Sequence, residues 1–167
     1  MRQALLLLLT LALLGGCQLT DAPPVDPANA TYVIERRTVT LRNGVFEEPA
    51  APGSASSATT RLFERGATGD VNGDGRPDVA VVLISSGGGS GTFSYLVALL
   101  GQGGGKGTAT NAVMLGDRIV VDALRISSGK IVVDILDRKP GEPFATAPSI
   151  RVTRTFEIKN GALGEAK

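Results

Sequence analysis

Histidine does not occur anywhere in this chain of 167 residues, and cysteine occurs once, as Cys17. Without imidazole there is no Ser-His-Asp relay, no Cys-His pair and no histidine-based metal site. With one thiol there is no intramolecular disulfide, so stability has to come from packing and from any ion the chain takes up. Tryptophan is absent too, and aromatics make up only 4% of residues, so the core must be built of Val, Ile, Leu and Ala. Nor is there an excess of one charge: the formal net charge is +1 with the signs interspersed, and no basic stripe offers the phosphate electrostatics that nucleic acid requires. Nucleic acid is therefore set aside as a partner.

What is present is a hydrophobic content of 43%, enough for a real core, and 22 glycines, enough to turn the chain many times. This combination predicts one domain of many short strands. The N-terminus reads separately. Met1-Arg2-Gln3 is a short positive segment, residues 4–14 are almost pure Leu and Ala, and Leu14-Gly15-Gly16-Cys17 closes the run with small residues before the thiol. The pattern is that of an export signal, and the apolar run falls short of the roughly 20 residues a transmembrane helix needs.

The Leu-Gly-Gly-Cys order resembles the lipobox of bacterial lipoproteins. By that resemblance residues 1–16 are a signal peptide, and Cys17 becomes the first mature residue and carries the lipid. Two or three acyl chains would give stable attachment where one is marginal. Gln18 follows, rather than the Asp that commonly retains lipoproteins at the inner membrane of Gram-negative bacteria. In such a host the resemblance implies the outer membrane, facing the periplasm. Loss of Arg2 with the signal leaves sixteen basic and sixteen acidic residues. Residues 17–30, with Pro23, Pro24 and Pro27, read as the lipidated cysteine and an extended tether. Residues 31–167 are then the folded domain.

Residues 31–41 are β-branched and partly alternating, and Asn43-Gly44 then turns the chain back through Val45 and Phe46. Residues 48–59 read as a surface loop. The continuous apolar run 79–84 predicts a central strand buried on both faces. After a Ser/Gly turn at 85–91, residues 92–100 predict a strand with Phe93, Tyr95, Val97 and Leu99 on one face. That following strand argues against a phosphate cradle in the glycine cluster. Residues 118–126 and 131–137 form a hairpin about Ser128-Gly129. With that two-residue turn Asp122 is expected opposite Ile135 and Asp134 opposite Ala123, which would point the two carboxylates to opposite faces. Residues 139–149 are a proline-rich loop, and 150–159 a last long strand. The fold class expected is all-β, an antiparallel meander of about nine short strands closed as a small barrel or packed as a sandwich.

Polar oxygens crowd one stretch, Gly69-Asp70-Val71-Asn72-Gly73-Asp74-Gly75-Arg76-Pro77-Asp78. Asp70, Asn72, Asp74 and Asp78 fall at positions 1, 3, 5 and 9 of a loop with Gly75 at position 6. Arg76 at position 7 needs only its backbone carbonyl, and the whole pattern suits a hard cation with several oxygen ligands. Three carboxylates around one site repel one another, which a divalent ion relieves. Position 12 is Val81 rather than a bidentate Glu, and the exit is a strand rather than a helix, so an EF-hand does not fit. A loop of Asp, Asn and Gly selected only for turning the chain is the competing reading.

The stretch resembles the calcium loop of FG-GAP or VCBS-type repeats, known from integrin-like β-propellers, in which a strand follows the loop directly. The resemblance implies calcium bound by the side chains of Asp70, Asn72, Asp74 and Asp78 and the carbonyl of Arg76. One copy, where propellers carry several, does not imply a propeller. The mature chain is also similar to small bacterial envelope lipoproteins with one such loop before a Gly-rich hairpin, a likeness that brings no activity with it.

These features favour a non-enzymatic, calcium-stabilised β-domain held at the envelope by Cys17 and binding or supporting an envelope protein or ligand that the sequence does not identify. A carboxylate-based hydrolase using Asp117, Asp122, Asp134 or Asp137 is the alternative, and it needs two of them converging in a cleft. A carrier of a small apolar ligand inside a barrel is the third reading. Cys17→Ser is expected to abolish lipidation and shift the protein from the membrane pellet to the soluble fraction. Unchanged sedimentation with membranes would contradict the anchor.

Overall fold

The computed structural model describes residues 25–63 and 66–166. The signal, Cys17 and the tether up to residue 24 lie outside the described residues. What is described is nearly all β, with antiparallel sheets that curl into a half-barrel. The only helical element among the described residues is a single 3₁₀ turn, Pro27–Asn29, capped by Asp26.

The strands are β1 (Thr31–Ile34), β2 (Arg37–Thr40), β3 (Val45–Pro49), β4 (Ser57–Leu62), β5 (Ala67–Gly69), β6 (Asp78–Ser86), β7 (Phe93–Gly103), β8 (Lys106–Ala109), β9 (Val113–Asp117), β10 (Val120–Ser127), β11 (Lys130–Asp137), β12 (Ile150–Lys159) and β13 (Ala162–Glu165). They exceed the nine expected partly because residues 31–41, read as one strand, are two, and partly because short strands such as β5 and β13 carry no strand pattern of their own. β1 and β2 make a two-stranded ribbon, β10 to β13 a four-stranded meander, and the remaining seven strands the main sheet.

Strands β6 and β7 form the centre of that sheet and pair along most of their length, from Val79 opposite Leu99 to Ser85 opposite Phe93. Two short strands laid end to end cover the outer edge of each: β4 and β5 along β6, β9 and β8 along β7. Both faces of the central pair are buried. Ala80, Val82, Leu96 and Ala98 pack against Ile131, Val133, Ile135 and Phe156 of the four-stranded sheet. Val79, Val81, Leu83, Tyr95, Val97 and Leu99 pack against Tyr32, Ile34, Val39 and Leu41 of the ribbon. The unbroken run at 79–84 is the sequence mark of this position, because a strand covered on both sides has no polar face to alternate with. The arrangement is thus layered, ribbon over main sheet over meander, with the sheets curled into a half-barrel.

Residues 31–41, expected as one strand, double back at Glu35 and Arg36, which hold φ of 49° and 68°. Inward positions are Tyr32 and Ile34 before the turn, Val39 and Leu41 after it, so the alternation slips by one residue between them. A continuous strand would have sent one of these pairs to solvent. Glu35 is held in place by the buried Tyr95, whose hydroxyl donates to Glu35 Oε1 at 2.6 Å. Asn43-Gly44 makes the expected tight turn, bridging Arg42 and Val45. Residues 25–30, read as the end of the tether, lie on the domain: Val25 is buried, and Tyr32 donates to the Pro27 carbonyl at 2.7 Å.

Leu96 is fully buried between β7 and the meander, so Leu96→Ala should cost about 2–5 kcal/mol, read from urea unfolding. Val33 is 52% exposed, and Val33→Ala should stay within about 0.5 kcal/mol of wild type.

Candidate functional site: the Asp70 loop

Gly69, the last residue of β5, pairs directly with Asp78, the first of β6. The acidic stretch is therefore the loop of a β-hairpin, mounted on the strand most deeply buried in the molecule. Its shape follows from side chains that bond their own backbone. Asp70 Oδ1 accepts from the amides of Gly73 at 2.7 Å and Asn72 at 3.2 Å, and Oδ2 accepts from Gly75 at 2.8 Å. Asn72 Oδ1 accepts from the Asp74 amide at 3.0 Å, and Asp74 Oδ1 from the Arg76 amide at 2.8 Å. Alternate residues thus each close a turn on the amide two residues ahead, and the backbone coils. Gly75, at φ +78°, supplies the left-handed residue where the coil bends.

Residues 72–77 are exposed, whereas Val71 and Asp78 on either side are buried. The Val71 side chain enters the core between main sheet and meander and staples the loop down. Asp78 turns beneath the loop, where Oδ2 accepts from the Val71 amide at 2.9 Å and Oδ1 from the Gly101 amide of β7 at 2.8 Å. The sequence placed Asp78 among the loop ligands and gave no hint of Gly101, since a partner 23 residues away leaves no local pattern. An apolar residue wedged between Asp70 and Asn72 is the one mark that could have found Val71.

As a cation site the donor set is the right kind, oxygen throughout. Each carboxylate oxygen has two lone pairs, and Asp70 Oδ2 and both Asp74 oxygens are each engaged by one N–H donor. Among the described residues, no three carboxylate or cysteine side chains converge as a ready metal centre. The residues at positions 1, 3 and 5 fit a hard cation that keeps several waters; Asp78, at position 9, differs from them in having no solvent-accessible surface.

The four carboxylates of the hydrolase reading are each engaged elsewhere. Asp117 accepts from the Thr92 amide at 2.9 Å and stands 3.5 Å from Arg118, and Asp137 accepts from the Arg138 amide at 2.7 Å. Asp134 is bonded by Arg125 and Thr153, and Asp122 by Arg151. The expected register needs one correction. Asp134 does oppose Ala123, but Val121 rather than Asp122 opposes Ile135, because a bulge falls at Asp122. The extra residue turns Asp122 to the outer face that Asp134 shares, and Arg151 lies in electrostatic reach of both. The pair is neutralised by arginines on an open sheet face, not poised in a cleft. Against the carrier reading, fully buried side chains fill both interlayer spaces. A groove of about 640 Å³ lies instead on the outside, between β1 and β8, with Asn29, Val33, Gln102 and Lys106 in its walls.

Comparison with known proteins bears on this same region. The family model described as the FG-GAP repeat matches residues 64–96, which take in β5, the acidic loop, β6 and the start of β7. No curated protein and no solved structure matches the chain.

The amides of Gly75 and Gly73 hold the Asp70 carboxyl below the usual carboxylate range. A folded-state value below the unfolded one means that its contribution is present above about pH 4 and is lost as pH falls through the folded value. Urea midpoints taken from pH 5 down to pH 2 in chelator should drop more steeply for wild type than for Asp70→Asn.

Proposed function

We propose that the chain is a non-enzymatic binding or supporting domain of the bacterial envelope, anchored through lipid on Cys17 and stabilised by calcium at the Asp70 loop. The observation that carries this reading is the placement of an oxygen-rich loop as the cap of β6, within the residues that match the FG-GAP repeat. Repeats of that kind are generally calcium-binding, which supports assigning calcium here. Asp70, Asn72 and Asp74 would offer side-chain oxygens and Arg76 its carbonyl, with the buried Asp78 beneath them at position 9.

The ion supplies charge compensation to the loop carboxylates and fixes the turn against which β6 begins. Its role is order rather than turnover. Binding energy in such a site is folding energy, since the unfolded chain does not hold the ligands together. With few charged ligands and an exposed rim, affinity belongs with the extracellular modules, on the order of 10⁻⁴ to 10⁻³ M. The balanced charge of the mature chain suits a protein that meets its partner through shape and local contacts rather than long-range steering.

Calcium at about ten times the dissociation constant should raise stability by about 1.4 kcal/mol, a rise in melting temperature of roughly 3–6 °C that chelator reverses. Melting temperatures that coincide in 10 mM calcium and in EDTA, together with no heat of binding in calorimetry, would sink the calcium reading. Carbonate extraction of membranes tests the anchor independently.

A further inference from the structure

Position 9 of the loop is unlike positions 1, 3 and 5. Asn72 and Asp74 are exposed and Asp70 is half-buried, whereas Asp78 is wholly inaccessible to solvent. The Asp70, Asn72 and Asp74 oxygens turn to amides inside the loop, while Asp78 Oδ2 reaches back to the Val71 amide at the loop's buried start and Oδ1 leaves the loop for Gly101 on the neighbouring strand. A carboxylate taken out of water needs strong donors on its oxygens, and two main-chain N–H groups at 2.8–2.9 Å meet that need. Gly101 is fitted to the contact. A Cβ built there would lie 2.3 Å from the Pro77 carbonyl oxygen, so only glycine lets β7 come close enough for its amide to reach Asp78.

We infer that Asp78 is a positioning residue and not a ligand of the loop's ion: one buried carboxylate joins the loop, the start of β6 and the far end of β7, and sets the loop's shape before any ion arrives. The ion half of this inference rests on the calcium reading above; the strut half does not. The protein ligands are then Asp70, Asn72, Asp74 and the Arg76 carbonyl, and water completes the six to eight oxygens that calcium takes.

The test uses the intact chain with two substitutions, Asp78→Asn and Asp74→Asn, each melted in EDTA and in 10 mM calcium and titrated with calcium by calorimetry. Asp78→Asn keeps the shape but replaces one accepting oxygen with a donor. It should lower the melting temperature by roughly 10 °C in EDTA and by a similar amount in calcium. Its calcium affinity should stay within about threefold of wild type, whereas Asp74→Asn should melt near wild type in EDTA and bind about tenfold or more weakly. An Asp78→Asn chain that melts like wild type in EDTA but loses calcium affinity tenfold overturns the inference.

Should Asp78→Asn not fold, hydrogen exchange on the wild-type chain in EDTA decides. Slow exchange of the Val71 and Gly101 amides upholds the strut, and protection that arises only on adding calcium overturns it. A wild-type chain that takes up no calcium removes the ion reading, and the EDTA melt of Asp78→Asn still upholds or overturns the strut.

Discussion

A strand with apolar side chains on both faces cannot lie at a surface, and β6 is such a strand. Val79, Val81 and Leu83 point one way, Ala80 and Val82 the other, and all five are buried. Two covers follow from this one constraint. The β1–β2 ribbon closes one face and the β10–β13 meander the other, which is why a chain with few aromatics reaches a layered core of small aliphatic side chains. The neighbouring β7 shares both covers, so the central pair is the part of the molecule least able to shift.

The acidic loop owes its position to the same strand. Because Gly69 and Asp78 are a ladder pair, whatever orders residues 70–77 also orders the point where β6 enters the core. Two anchors hold the loop from below, the Val71 side chain and the Asp78 carboxylate. The exposed oxygens above them are occupied with local turns and remain within reach of a cation. A loop held in this way takes its shape from its own backbone amides and from the buried strand it caps.

Elsewhere, arginines do much of the surface work. Arg125 and Arg151 bond Asp134 and Asp122 on the outer face of the meander, and Arg154 clasps Glu165 across β12 and β13. Such exposed pairs contribute little each to stability, and they engage Asp122 and Asp134 on an open face rather than in a cleft. The bulge at Asp122 is instructive, because one extra residue moved a carboxylate to the face where an arginine awaited it.

Much of the fold was legible from local pattern. The all-β class, the buried central strand, the face of Phe93, Tyr95, Val97 and Leu99, and the turns at Asn43-Gly44 and Ser128-Gly129 depend on side-chain alternation and on residues that accept positive φ, and both are written in neighbouring positions. The spacing of Asp70, Asn72, Asp74 and Gly75 likewise determined a coiled loop before any strand was placed. The tertiary structure alone decided the rest: the hairpin at Glu35 and Arg36, the bulge at Asp122 and the burial of Asp78 against Gly101. Each of these turns on a partner distant in the chain, Tyr95 for Glu35, Arg151 for Asp122 and Gly101 for Asp78. A residue's own neighbours specify which way its backbone can bend, but what its side chain meets is settled only when the layers close.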